Sequence, residues 1–152
     1  MFNRVFGRRE EEEQIKSMNR LPPGQSLTQK FPVLHYGPTP NTDLAKWNLR
    51  VFGAVEEEVV WDWAAFNKLP RTNITMDIHC VTRWSKFDTS WEGVSLKTLV
   101  DEGFIKPKPE AKYVIQHCEV GYTTNTPIEL VMQDNFLLAT HFDGKPLTVE
   151  HG

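Results

Sequence analysis

The stretch Asp77-Ile78-His79-Cys80-Val81-Thr82-Arg83-Trp84-Ser85-Lys86 continues an alternation that begins at Arg71, with Ile74, Met76 and Ile78 on one face and Thr75, Asp77 and His79 on the other. A period of two is the signature of a half-buried strand. Cys80 therefore falls on the Ile74 face at, or just past, the end of a strand over residues 71–80, and His79 points to the opposite side. The plain reading of Cys80 is a buried, inert thiol, since free cysteine is among the most often buried residue types.

Other chemistries have to be weighed against that reading. His79-Cys80 and His117-Cys118 together offer four zinc donors. Neighbours on a strand face opposite ways, however, and zinc sites space their ligands by two to four residues within each half. Two cysteines are too few for a disulfide scaffold in a chain able to build a core. A nucleophilic Cys80 would have His79, Arg83 and Lys86 close by to stabilise a thiolate, with His35, His117, His141 and His151 as bases, but no local thiol-hydrolase signature accompanies it. Trp84 and Trp91 bracket the segment after Cys80, so aromatic walls and cations would frame the thiol, as they would frame an anionic cofactor.

Working outward, 152 residues with 39% hydrophobic and 24% charged content suit one domain with a sizeable core. A formal charge of −3 argues against nucleic acid as the main partner. The longest apolar runs, such as residues 136–139, are far too short to cross a bilayer, and the acidic run Glu10 to Glu13 stands where a secretory signal would need apolar residues. A cytoplasmic protein without membrane partner is expected. Residues 1–24 read as a charged tail, a solvated stretch or short helix broken by Pro22-Pro23-Gly24, ahead of a domain over 25–152. Residues 31–40 hold three prolines among large apolar groups and predict an ordered, extended loop packed on the domain.

Strands are expected at 47–52, 112–116 and 136–141, and short helices at 61–69 (entered through Asp62), 96–102 (stopped by Gly103) and 127–133. Asp143-Gly144-Lys145 predicts a turn into 146–149. Short strands and helices without a glycine-rich phosphate loop point to a mixed α+β domain rather than a doubly wound one.

Cys80-Val81-Thr82-Arg83-Trp84-Ser85-Lys86, followed by Trp91-Glu92-Gly93-Val94-Ser95-Leu96, resembles the molybdenum-ligand segment of the sulfite oxidase family. It is more similar still to the short bacterial sulfite oxidase-like oxidoreductases, kin to the catalytic subunit of periplasmic methionine sulfoxide reductase. The resemblance runs from about Leu21 to Gly152. It implies a sulfite oxidase-type fold and a molybdenum-molybdopterin cofactor (Moco) whose metal is bound by Cys80, a soft thiolate suited to a redox metal. It further implies His35 and Tyr36 at pterin-contacting positions in the 31–40 segment, and Tyr122 as the active-site tyrosine. Cys118 would be a contact residue on the strand beside the cofactor, and His151 would contact the pterin. Tyr122 and Arg83 are the candidates for polarising a small-molecule substrate in oxygen-atom transfer, with an electron-transfer partner beyond it.

Two positions depart from the pattern. Leu34 stands where sulfite oxidases carry a substrate-binding arginine, and the chain stops at Gly152, before a Gly-Pro-apolar-Arg strand and a Lys-bearing segment that grip the cofactor's phosphate end. The expectation is therefore a domain truncated at its C-terminus. Two other functions stay open: a metal-independent thiol enzyme using Cys80, and a noncatalytic binding module on the same fold.

Overall fold

The computed structural model describes residues 2–152, and their side chains from residue 7 onward except that of residue 8; Met1, where the expected tail begins, lies outside them. In chain order the elements are α1 (Phe2–Ser17), β1 (Ser26–Leu27), β2 (Asn48–Val51), β3 (Val59–Asp62), α2 (Trp63–Phe66), β4 (Thr72–His79) and β5 (Trp84–Ser95). They continue with α3 (Leu96–Asp101), β6 (Tyr113–His117), β7 (Thr123–Pro127), α4 (Ile128–Val131), β8 (Leu137–Phe142), β9 (Lys145–Pro146) and a 3₁₀ turn (Val149–His151). The fold is α+β: one sheet in the order β1-β5-β8-β9 with β4 also on β5, and two separate ribbons, β2-β3 and β6-β7. The chain falls into two compact units, one of the residues up to Pro32 with Thr75–Thr89, the other of Val33–Ile74 with Ser90–Gly152.

In the first unit β1 pairs parallel with the start of β5, Ser26 opposite Trp84 and Leu27 opposite Ser85. Its small core joins Ile15 of α1 to Leu21, Leu27 and Phe87. The charged N-terminal region contains α1, a 16-residue helix with a Glu12–Lys16 ion pair at 2.7 Å, one turn apart. Arg20 fastens the arm that follows. Its guanidinium donates to Asp77 at 2.7 and 3.2 Å and to Asp88 at 2.7 Å, and lies 5.0 Å from the Phe87 ring centre. Those hydrogen bonds hold the Asp77 carboxyl below the usual carboxylate range.

The second unit is built on Trp61, Phe66, Leu69, Val94, Leu99 and Ile105, with Trp47 and Trp63 packed against them. The short helices form where their caps are supplied. Asp62 accepts from the Ala65 amide at 2.7 Å to start α2, and Ser95 accepts from Thr98 to start α3. Gly103, at φ 79°, ends α3 by donating to the Val100 carbonyl. The expected helix at 61–69 is reduced to four residues, because Trp61 and Asp62 are drawn into β3 by antiparallel pairing with Leu49 and Asn48. The expected strand 71–80 is β4, ending at His79. Asp143 (φ 47°) and Gly144 (φ 73°) form the two-residue loop between β8 and β9, a conformation with both φ values positive that matches strand twist. Residues 33–36 differ from the expected packed loop: Val33, Leu34, His35 and Tyr36 are all exposed. Prolines keep that segment extended, away from the core.

The later half of β5 runs antiparallel to β8, and the register shifts between Glu92 and Gly93. At Gly93 the strands approach so closely that a Cβ would lie 2.4 Å from the Leu138 carbonyl oxygen and 2.8 Å from Ala139 Cα. Backbone cannot give way as a side-chain end can. Gly93→Ala is expected to destabilise the fold by about 2 kcal/mol or more, read as a lowered urea midpoint, with Val94 and Leu99, both fully buried, the core residues nearest the disturbance in sequence.

Candidate functional site

The turn between β4 and β5 is made by Val81, Thr82 and Arg83. The Cys80 amide donates to the Trp84 carbonyl at 2.9 Å, and the Arg83 amide donates to the Cys80 carbonyl at 2.9 Å. Closing a hairpin this way leaves its last loop residue left-handed, and Arg83 sits there at φ 68°. Val81, Thr82 and Arg83 are exposed and the thiol is half-buried. The Cys80 Sγ lies 3.1 Å from the Thr82 hydroxyl. That hydroxyl, with the amides of Thr82 and Val81, pushes the Cys80 thiol below its ordinary value by solvating the anion.

Two of the three groups expected to do this, His79 and Lys86, are engaged elsewhere. His79 places its Nδ1 2.8 Å from the Ser85 hydroxyl, and Lys86 donates to the Gln29 carbonyl at 3.2 Å. Trp84 packs edge-on against Phe31, 6.4 Å between ring centres, and Trp91 packs against Phe142 at 4.8 Å. Thr82 was not singled out by sequence reasoning. The signal is a hydroxyl two residues beyond a cysteine at a strand end, which matters only once the turn folds it back.

In the second unit the turn from β6 to β7 has the same design. Cys118 donates to the Tyr122 carbonyl at 2.9 Å, Gly121 donates to the Cys118 carbonyl at 3.0 Å, and Gly121 takes the left-handed position at φ 80°. Cys118, expected on the strand, instead opens this turn one residue beyond His117. Tyr122 follows it and leans against Tyr36, 4.9 Å between ring centres, both rings exposed (44% and 69%). Next to Tyr36, His35 donates from Nε2 to the Glu150 carbonyl at 3.1 Å, which places it beside the turn bearing His151. The Nδ1 of His151 lies 3.0 Å from the Thr148 hydroxyl. His35, Tyr36, Cys118, Tyr122 and His151 are thus joined through shared turns and two direct contacts, whereas Cys80 and Arg83 belong to the first unit.

Both units carry groups suited to a molybdopterin. Among the described residues no three His, Cys, Asp or Glu side chains gather to hold an ion, so a lone stabilised thiolate fits a metal that brings its other ligands with it. Exposed tyrosine faces and imidazoles fit a planar, polar heterocycle.

Residues 36–152 match the model of the oxidoreductase molybdopterin binding domain family, and this chain belongs to that family. It is 40% identical over 148 residues to the uncharacterized oxidoreductase YuiH of Bacillus subtilis (strain 168), covering 97% of this chain and 72% of that protein. Its fold is similar to the sulfane dehydrogenase SoxCD of Paracoccus pantotrophus, with a TM-score of 0.65 at 23% identity over 78% of this chain, which spans only 34% of that one. The family expected from the Cys80 to Leu96 segment is therefore the family found. No helix among the described residues is long and apolar enough to cross a membrane.

The thiol's environment is testable in the metal-free protein. The pH midpoint for alkylation of Cys80 is expected below that of an ordinary thiol, since its donors favour the charged form. Thr82→Val removes the first of those donors. Its midpoint is expected to move up, measured by iodoacetamide labelling against pH with mass-spectrometric quantitation; an unchanged midpoint would exclude the hydroxyl as a cause.

Proposed function

We propose that this domain binds a molybdenum-molybdopterin cofactor with Cys80 as the protein ligand to the metal, and that it serves oxygen-atom transfer to or from a small substrate. The observation that carries the reading is the Cys80 turn: a half-buried thiol, held toward its thiolate by Thr82 and two amides, with no cluster of further His, Cys, Asp or Glu donors among the described residues. When bound, the cofactor supplies the two-electron change and the site of atom transfer.

The chain's own residues supply placement. Cys80 presents a sulfur whose thiolate form is favoured by the hydrogen bonds of the turn it opens. Arg83, exposed beside it, offers a cation to an anionic or polar substrate, and the Tyr122 hydroxyl offers a proton donor. His35, Tyr36, Cys118 and His151 are assigned to the pterin, the tyrosine by its open face and His35 with its orientation already set by the Glu150 carbonyl. Leu34 occupies the place of the sulfite oxidases' arginine and is exposed, so the reading does not extend to sulfite as substrate.

The test is metal and pterin content of the chain made in a host that synthesises the cofactor. Wild type is expected to carry molybdenum, and Cys80→Ser to lose it by roughly tenfold or more. Molybdenum absent from wild type, or unchanged in Cys80→Ser, overturns the reading. The lowered thiol also favours metal-free thiol chemistry at Cys80, whose mark would be activity that survives removal of molybdenum but not Cys80→Ser.

A further inference from the structure

We infer that Gln25, on the arm that precedes the residues matched by the family model, is a positioning residue for the Cys80 turn. The inference rests on the reading of Cys80 as the functional thiol, and it concerns which part of the chain holds that thiol in place.

The arm reaches the turn through a local device. In Pro22-Pro23-Gly24-Gln25 the Gln25 amide donates to the Pro22 carbonyl at 3.2 Å, and Gly24 stands at φ 79°. Proline second and a left-handed glycine third mark a type II turn. This turn brings Gln25 to the hairpin, 55 residues further along the chain, where its side-chain amide donates to the Cys80 carbonyl at 3.0 Å.

The hydrogen bonds beyond that point follow from donor counting. A carbonyl only accepts, so Gln25 must present its NH₂ to Cys80 and its oxygen to Ser85, 3.2 Å away. The Ser85 hydroxyl then has to donate to Gln25, which commits its one hydrogen. His79 Nδ1, 2.8 Å from the same oxygen, must therefore be the donor to Ser85. Ser85 is fully buried, so a missing partner would leave an unpaired polar group with no water to replace it. The arm's backbone adds two further bonds: Ser26 donates to the Arg83 carbonyl at 3.0 Å and Thr28 to the Ser85 carbonyl at 2.9 Å.

Both ends of the turn are therefore held from the arm, Cys80 by the Gln25 side chain and Arg83 by the Ser26 amide. The comparison is the Cys118 turn, which has the same hydrogen bonds but a glycine at its left-handed position. Arginine disfavours that conformation where glycine does not. The Cys80 turn keeps a cation at that position, and the arm supplies hydrogen bonds that help to hold it there. The matched family residues begin only at 36, so the holding group lies outside the part of the chain the family model describes.

The test uses the full chain without cofactor, so that failure of the molybdenum reading leaves it unaffected. Gln25→Leu removes both side-chain hydrogen bonds, and Cys118 with its own turn serves as the reference within each molecule. The amides of Cys80 and Arg83 are expected to exchange with deuterium roughly tenfold faster, the equivalent of one lost hydrogen bond of ordinary net strength, while those of Cys118 and Gly121 keep their wild-type rates. The ratio of iodoacetamide alkylation rates, Cys80 to Cys118, should shift by about threefold or more. Gln25→Glu retains the acceptor for Ser85 but, when ionised, sets a carboxylate against the Cys80 carbonyl. It should match Gln25→Leu above neutral pH and return toward wild type once the new carboxyl is protonated and can donate. The inference is overturned if both variants keep wild-type values for the two amides and the alkylation ratio, or if all amides of both turns speed up alike.

Discussion

A hairpin closed over three residues must place one of them in the left-handed region, and between β4 and β5 that residue is Arg83 at φ 68°. Much of the site's character depends on this constraint. It directs the Val81 and Thr82 amides and the Thr82 hydroxyl toward the Cys80 sulfur, favouring the thiolate by hydrogen bonding. It also starts β5 in register with β1, and the same strand continues to its pairing with β8.

The two His-Cys pairs, which as a sequence pattern invite a metal-binding reading, turn out to be two uses of one turn. In each, the histidine ends a strand, the cysteine opens the loop, and an aromatic residue begins the returning strand or directly precedes it. The difference lies in the left-handed residue, arginine in one and glycine in the other. Glycine leaves the Cys118 turn free of backbone strain, and Tyr122 after it contributes an open ring beside Tyr36. In the first unit the Cys80 turn combines an activated sulfur with an exposed cation.

Much of this is legible in the sequence alone, where the signal is local. Alternation from Ile74 to Ile78 marked β4 and placed Cys80 just past its end; Asp62 and Gly103 marked helix boundaries; Asp143-Gly144 marked a hairpin. The strands missed were those made by partners. Val59 to Asp62 looks like the approach to a helix until Asn48 and Leu49 pair with its end, and Thr123 to Pro127, polar and largely exposed, becomes a strand only against β6. Trp84 to Ser95 has no clean alternation because it crosses from one unit's sheet contacts to the other's, with a register shift at Gly93. At the site, the expected source of thiolate stabilisation was charge, since His79, Arg83 and Lys86 are adjacent in sequence. Hydrogen bonds from Thr82 and the backbone act instead, and a residue such as Gln25, 55 positions from its partner, carries no local signal at all.

That separation has a consequence for how the chain assembles. The Cys80 hairpin closes over three residues, whereas the arm reaches it by closing a loop of more than fifty, and loop entropy makes the second closure the costlier one. Local contacts of the first kind form on the microsecond scale, and contacts between distant segments come more slowly. A newly made chain can thus fold its thiol turn long before the segment that secures it has docked. In that order of events, the final setting of the sulfur belongs to the completed fold, in which the arm's hydrogen bonds to Cys80 and Arg83 are in place.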